Sequence, residues 1–252
     1  MSGIVWHAAK MGALRPPSSQ MKTTKAYKNP KFLMGEEARP IRILSEYLEP
    51  LARLEREKVR RAIIFFGSAR LRPKPKSGPD YFKLASDLAE KLAAWTVRQH
   101  GPSERYFFCC GGGPGLMEAS AKGVARVDRR LNIALNISLP FEQSVNDHVL
   151  PELTFEFHYF FMRKFWFMKL AEAMVVFPGG FGTMDELFEM LTLVQTGKAK
   201  PMPFVLFGRE FWNETINFKS LARRGLISPT DLDRIFIADT VDAAYKHLTQ
   251  KL

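Results

Sequence analysis

Nine consecutive residues, Pro178-Gly179-Gly180-Phe181-Gly182-Thr183-Met184-Asp185-Glu186, lie between the apolar run Met174-Val175-Val176-Phe177 and a stretch with helical spacing at Leu187, Met190, Leu191 and Val194. The order reads as a strand, a glycine-rich turn and the start of a helix. Glycines let the backbone approach an anion, the first N–H groups of a helix have no partner within it, and Thr183 adds a hydroxyl. The turn is therefore suited to a phosphate. Glu186 follows on the first turn of that helix. A bound phosphate repels a carboxylate, so Glu186 is expected to face another part of the ligand or to answer the helix dipole.

Other residues of similar promise end neighbouring apolar runs. Gly67-Ser68 and Gly111-Gly112-Gly113-Pro114-Gly115-Leu116-Met117 form two more small turns, with Gly67, Ser68, Gly112, Gly113, Gly115 and Met117 as candidate ligand contacts. Neither fits a known nucleotide fingerprint. The second turn lacks the Lys-Ser or Lys-Thr pair of an ATP-binding loop, and it lacks the acid at the distance a dinucleotide site requires. A nucleoside monophosphate suits these turns better than ATP or NAD. Arg163 and Lys164 follow Phe160-Phe161-Met162 at a helix start, where the dipole disfavours cations unless an anion is nearby. A guanidinium offers phosphate a planar fork but stays charged and is a poor proton donor. Asn136 and Glu142 flank the Leu139-Pro140 turn and are placed within reach of the same pocket; turn formation explains them almost equally well.

Alternating elements must carry these residues. Strands are expected over 62–66, 106–110, 133–139, 154–159, 173–177, 204–207 and 235–238, with helices over 81–97, 116–127 and 241–252. Continuous apolar strands between helices predict a Rossmann-like, doubly wound parallel sheet with helices on both faces. In such a sheet the carboxyl ends of the strands share one edge, so the three glycine turns line one pocket. Upstream, Ile41, Leu44, Leu48, Leu51 and Leu54 predict two short helices divided at Pro50, because proline fits the first turn of a helix better than its interior. The expected organisation is a basic, disordered tail over 1–35, a helical extension over 36–60 and the sheet domain over 61–252.

A chain of 252 residues with 46% hydrophobic content is long enough for one large α/β domain. The net charge of +11 raises the question of nucleic acid. However, six of those charges come from residues 1–35, which contain no acid, and no recognition motif accompanies them, so nucleic acid is not the expected partner. The adjacent Cys109 and Cys110 point to opposite faces of a strand, which argues for two buried thiols rather than a disulfide or a metal site. No stretch is apolar enough to span a membrane, and the N-terminus lacks a compact secretory signal. A cytoplasmic enzyme without metal or cofactor is expected.

The pairing of Phe161-Met162-Arg163-Lys164 with the 178–186 segment closely resembles the LOG (Lonely Guy) family, whose hallmark is an Arg-Lys pair followed by Pro-Gly-Gly-x-Gly-Thr-x-x-Glu. The resemblance covers about residues 60–240 and includes Gly111-Gly112-Gly113-Pro114-Gly115-Leu116-Met117-Glu118. Members are often labelled lysine decarboxylases, but the family's characterised activity is nucleoside 5′-monophosphate phosphoribohydrolase, including activation of cytokinin nucleotides. The resemblance implies that Arg163 and Glu186 are the catalytic pair and that Gly179, Gly180, Phe181, Gly182 and Thr183 hold the phosphate. By the same resemblance Glu142 and Thr192 touch the nucleotide, with Lys164 and Asp185 beside it, and the assembly is a homodimer or a larger even-numbered oligomer. Glu118, Asp185, the N-terminal extension and the basic 71–80 loop depart from shorter plant-type members and resemble the longer bacterial group. The alternative is a nucleotide-binding module without catalysis, sensing AMP or a guanine alarmone.

Overall fold

The computed structural model describes residues 23–139 and 145–252. These residues fall into two units divided between Arg42 and Ile43. In the first, a single 3-10 turn (Ala26–Lys28) precedes the short helix α1 (Pro30–Leu33). The Arg42 guanidinium donates to the carbonyls of Leu33 and Gly35 at 2.7 and 2.6 Å. The expected tail over 1–35 lies outside the described residues as far as position 22.

Helix α2 (Arg39–Arg56) runs across the boundary without a break, and Pro50 is inside it. The expectation of two helices is thus corrected. Proline removes the N–H that would bond the carbonyl four residues back, here that of Glu46. The Trp166 indole Nε1 donates to that oxygen at 2.9 Å instead, so a tertiary contact replaces the missing helix bond.

The second unit alternates β1 (Ala62–Phe66), α3 (Tyr81–Gln99), β2 (Phe107–Cys110), α4 (Leu116–Asp128), β3 (Asn132–Ile137), β4 (Thr154–Phe157), α5 (Phe160–Leu170), β5 (Ala171–Val176), α6 (Phe181–Gln195) and β6 (Phe204–Phe207). Three short helices, α7 (Arg209–Thr215), α8 (Phe218–Arg223) and α9 (Pro229–Leu232), lead to β7 (Ile235–Ala238) and α10 (Val241–Lys251). All seven strands are parallel, in the order β4-β3-β2-β1-β5-β6-β7. Continuous burial of β1, β2 and β6 explains their unbroken apolar sequences, while the equally buried β3 carries Asn132 and Asn136 among its apolar residues. Cys109 and Cys110 are free, buried strand residues.

Chain direction across the sheet reverses between β1 and β5. From β1 the connections through α3 and α4 step toward β3, whereas from β5 the connection through α6 steps toward β6. Right-handed crossovers therefore place α3 and α4 on one face and α5 and α6 on the other, opening a crevice at the ends of β1 and β5. Helices α3 and α4 pack closely because Gly123 has no side chain; a Cβ there would lie 2.0 Å from the Ser86 carbonyl oxygen.

Candidate active site

At the end of β5, two backbone bonds tie the turn to β1: Phe177 N donates to Phe66 O at 2.8 Å, and Ser68 N donates to Pro178 O at 3.0 Å. Gly179 is required by the next turn of chain, since a Cβ would lie 2.1 Å from Thr183 Oγ1. Gly180 caps α6 without a side chain. The N–H groups of Phe181, Gly182 and Thr183 consequently have no partner within the helix, which is the arrangement an anion needs.

A cleft of about 810 Å³ opens above this turn. Its wall includes Gly67, Ser68, Met117, Asn136, Arg163, Glu186 and the whole of the 179–183 turn, from the ends of β1, β3 and β5 and from helices α4, α5 and α6. Phe181 stands 96% exposed at the rim. Thr183 and Glu186 are buried, Glu186 to 4% exposure. Helix α5 delivers Arg163, whose Nη2 lies 3.5 Å from Glu186 Oε1. The guanidinium packs near the rings of Phe160 and Phe167, 5.1 and 5.8 Å from their centroids. Its Nε is buried with no hydrogen-bond partner among the described residues.

Burial pushes the Glu186 carboxyl up to about 7, against the opposing pull of Arg163 and Lys164 and with a smaller push from Glu189 and Asp185. Desolvation also moves Arg163 down, opposed by Glu186 and Asp185. A guanidinium remains charged at neutral pH regardless.

The remaining candidates are placed differently. Lys164 Nζ lies 2.7 Å from Asp185 Oδ2 and 2.8 Å from Glu189 Oε2, so it bridges α5 to α6 away from the cleft wall. Burial lowers its pKa, but the two carboxylate bonds outweigh that effect and the net shift is upward. Gly112 has φ +77° and packs against Ala134; Gly115 has φ +68° and packs against Ala69, so both shape the floor from behind. Gly113 accepts from Asn146 Nδ2, which also donates to Gly112 O. Thr192 is exposed and donates its hydroxyl to Phe188 O at 2.7 Å. Glu142 lies outside the described residues.

Sequence reasoning missed Arg70, Phe160, Phe211 and Thr215 on the cleft wall. Phe211 and Thr215 sit four apart on α7, directly after the end of β6. The signal was present, because β6 ends on the same sheet edge and is followed by Gly208. Asn146 was missed because its bonds to the glycine turn join chain segments more than 30 residues apart.

A parallel sheet with a glycine-rich helix start and a buried acid at its switch point defines an α/β protein of the Rossmann-like class. The chain belongs to the LOG family, matching over residues 117–248 the family profile described as "possible lysine decarboxylase". It is 27% identical over 199 residues to the cytokinin riboside 5′-monophosphate phosphoribohydrolase LOG3 of Arabidopsis thaliana, covering 78% of this chain and 85% of that one. It is 25% identical over 189 residues to the cytokinin riboside 5′-monophosphate phosphoribohydrolase of Rhodococcoides fascians, covering 70% and 91%. Two solved structures share the fold with TM-scores of 0.50. The molybdenum cofactor binding protein of Rippkaea orientalis is 16% identical, with 76% of this chain and 97% of that one covered. The structural genomics target TM1055 is 20% identical, with 75% and 99% covered. No helix among the described residues is long and apolar enough to cross a membrane.

Proposed function

We propose that this chain hydrolyses the N-glycosidic bond of a nucleoside 5′-monophosphate, releasing free base and ribose 5-phosphate. The observation that carries the reading is the position of Glu186: buried on the cleft wall, in the second turn of α6 rather than the first turn expected from sequence, and facing Arg163. As the bond from C1′ to the base nitrogen lengthens, positive charge builds on C1′ and the ring oxygen. An ionised Glu186 offsets that charge or takes a proton from the attacking water, whose oxygen joins C1′ and whose proton ends on the base nitrogen. Arg163 stabilises the electron pair leaving with the base. A carboxyl titrating near 7 is suited to proton exchange at neutral pH. The phosphate grip supplies binding energy remote from the broken bond.

Names of the curated relatives support this reaction class, with AMP-like or cytokinin-type nucleotides as the substrates. We further propose a homodimer or a larger even-numbered assembly. Phe160 and Phe161 are each 51% exposed beside the cleft, although Met162, Trp166 and Phe167 of the same helix are buried within the chain. Decarboxylation of lysine does not fit the cleft: pyridoxal phosphate requires a lysine for its Schiff base, no lysine lines the wall among the described residues, and Lys164 is bound to two carboxylates.

The test is a panel of nucleoside 5′-monophosphates incubated with purified protein, with free base measured by chromatography. Release of base from at least one is expected. Binding of AMP without release would leave a nucleotide-binding module.

A further inference from the structure

Among the described residues, two cations line the cleft, Arg163 and Arg70. Arg163 faces Glu186, and while Glu186 is ionised the two charges largely cancel. The guanidinium of Arg70 has neither an ion pair nor a hydrogen bond among the described residues. Its neighbour Arg72 is different: it donates to the carbonyls of Ala69 and Leu71 at 3.2 and 3.1 Å. Arg70 is thus the unpartnered cation of the cleft among the described residues.

Its backbone is held firmly although its side chain is free. Arg70 N donates to Ser68 Oγ at 3.1 Å, Leu116 N donates to Ser68 O at 3.1 Å, and Ser68 N donates to Pro178 O at the start of the phosphate turn. Behind it, Gly115 lies so close that a Cβ there would be 2.5 Å from the Ala69 carbonyl carbon and oxygen. The end of β1 is consequently fixed against both glycine turns. Arg70 leaves it two residues beyond a direct bond to Pro178, on the wall shared with the 179–183 turn.

A phosphate dianion at the start of α6 meets backbone N–H groups and about half a positive charge from the helix dipole. That leaves most of its charge unanswered. Resting on the proposed phosphoribohydrolase reading, we infer that Arg70 is the residue that neutralises the 5′-phosphate. It thereby sets the preference for nucleotides over nucleosides, a role that the family hallmark motifs do not contain. The fixed backbone limits the ordering required to one side chain, and a guanidinium matches phosphate through two parallel donors.

The experiment measures AMP and adenosine affinity by titration calorimetry, and steady-state kinetics on AMP, for wild type, Arg70→Ala and Arg70→Lys. Arg70→Ala should weaken AMP binding about 10- to 100-fold, the range for loss of a charge-assisted contact, and raise KM more than it lowers kcat. Adenosine affinity should change far less, and Arg70→Lys should recover part of the loss. Unchanged AMP affinity, or equal losses for AMP and adenosine, would overturn the inference. If wild type binds AMP but releases no base, the phosphoribohydrolase reading fails while the calorimetric comparison still decides the role of Arg70.

Discussion

Arg163 and Glu186 face each other at 3.5 Å, the outer limit of a hydrogen bond, so the acid is accompanied by a cation without being tightly bound to it. The spacing matters because a close bidentate pair would hold Glu186 ionised well below neutral pH. Here burial prevails, and the carboxyl titrates at about 7.

Replacing Glu186 by Gln should retain the fold and most AMP affinity, because shape and some hydrogen bonding survive. Base release should fall about 10²- to 10³-fold, corresponding to ~3–4 kcal/mol of lost transition-state stabilisation. Arg163→Ala should weaken both binding and turnover. If Glu186 only answered the helix dipole, it would be worth about 0.3–1 kcal/mol of stability and Glu186→Gln would turn over nearly normally. Near-normal release by that variant would end its catalytic assignment.

The raised Glu186 pKa also ties stability to pH. A folded value of about 7 against 4.5 for a solvated glutamate carboxyl means that the folded chain holds the proton more tightly. This group's contribution is therefore fully present below pH 4.5 and is lost as pH rises through 7. Between pH 5 and pH 8 the loss is on the order of 2–3 kcal/mol. Glu186→Gln has no such dependence, so its melting temperature should rise relative to wild type over that interval. Parallel melting curves for the two proteins would contradict the burial argument. In the opposite sense, kcat/KM should fall as pH drops below about 7, where the carboxylate is protonated.

Lys164 should act through Glu186 rather than on the nucleotide. It binds Asp185 and Glu189, the acids one residue before and three after Glu186 on α6, and those acids together with Arg163 and Lys164 are the charges that act on Glu186. Lys164→Gln releases two carboxylates beside it and should move the acid limb of the pH–rate profile upward. Lys164→Arg should hold it in place. Because Asp185 and Glu189 are partly exposed, the stability cost should stay near ~1 kcal/mol. A profile that does not move, with AMP affinity reduced instead, would return Lys164 to direct substrate contact.

Legibility in the sequence followed the range of the interaction. The sheet was readable because β1, β2 and β6 are buried along their whole length and so carry unbroken apolar runs. The glycine-rich turn and helix start were readable because the glycines, Thr183 and Glu186 lie within one short segment of chain. Arg70 was not, since nothing in Gly67-Ser68-Ala69-Arg70 tells that Ser68 bonds Pro178 across the switch point. The bond of Thr192 back to Phe188 O was likewise invisible, since its place in the family pattern says nothing of it. Helix α2 failed through a local rule overridden at long range.

That override supplies the last prediction. Pro50 leaves the half-buried Glu46 carbonyl without a helix donor, and Trp166, 120 residues away, provides one at 2.9 Å. Trp166→Phe removes the donor and should cost about 1–3 kcal/mol for the unsatisfied oxygen, in addition to lost packing. Pro50→Ala restores an N–H at the position that ordinarily bonds Glu46. In the Trp166→Phe background this change recovers a bond, whereas in wild type it competes with one already made. The lost ring volume is common to both arms of the cycle and cancels. Urea denaturation of the two single variants and the double variant should therefore give a favourable coupling near ~1 kcal/mol. Additivity within ~0.3–0.5 kcal/mol would show that Trp166 is held by packing alone and that α2 tolerates its proline for some other reason.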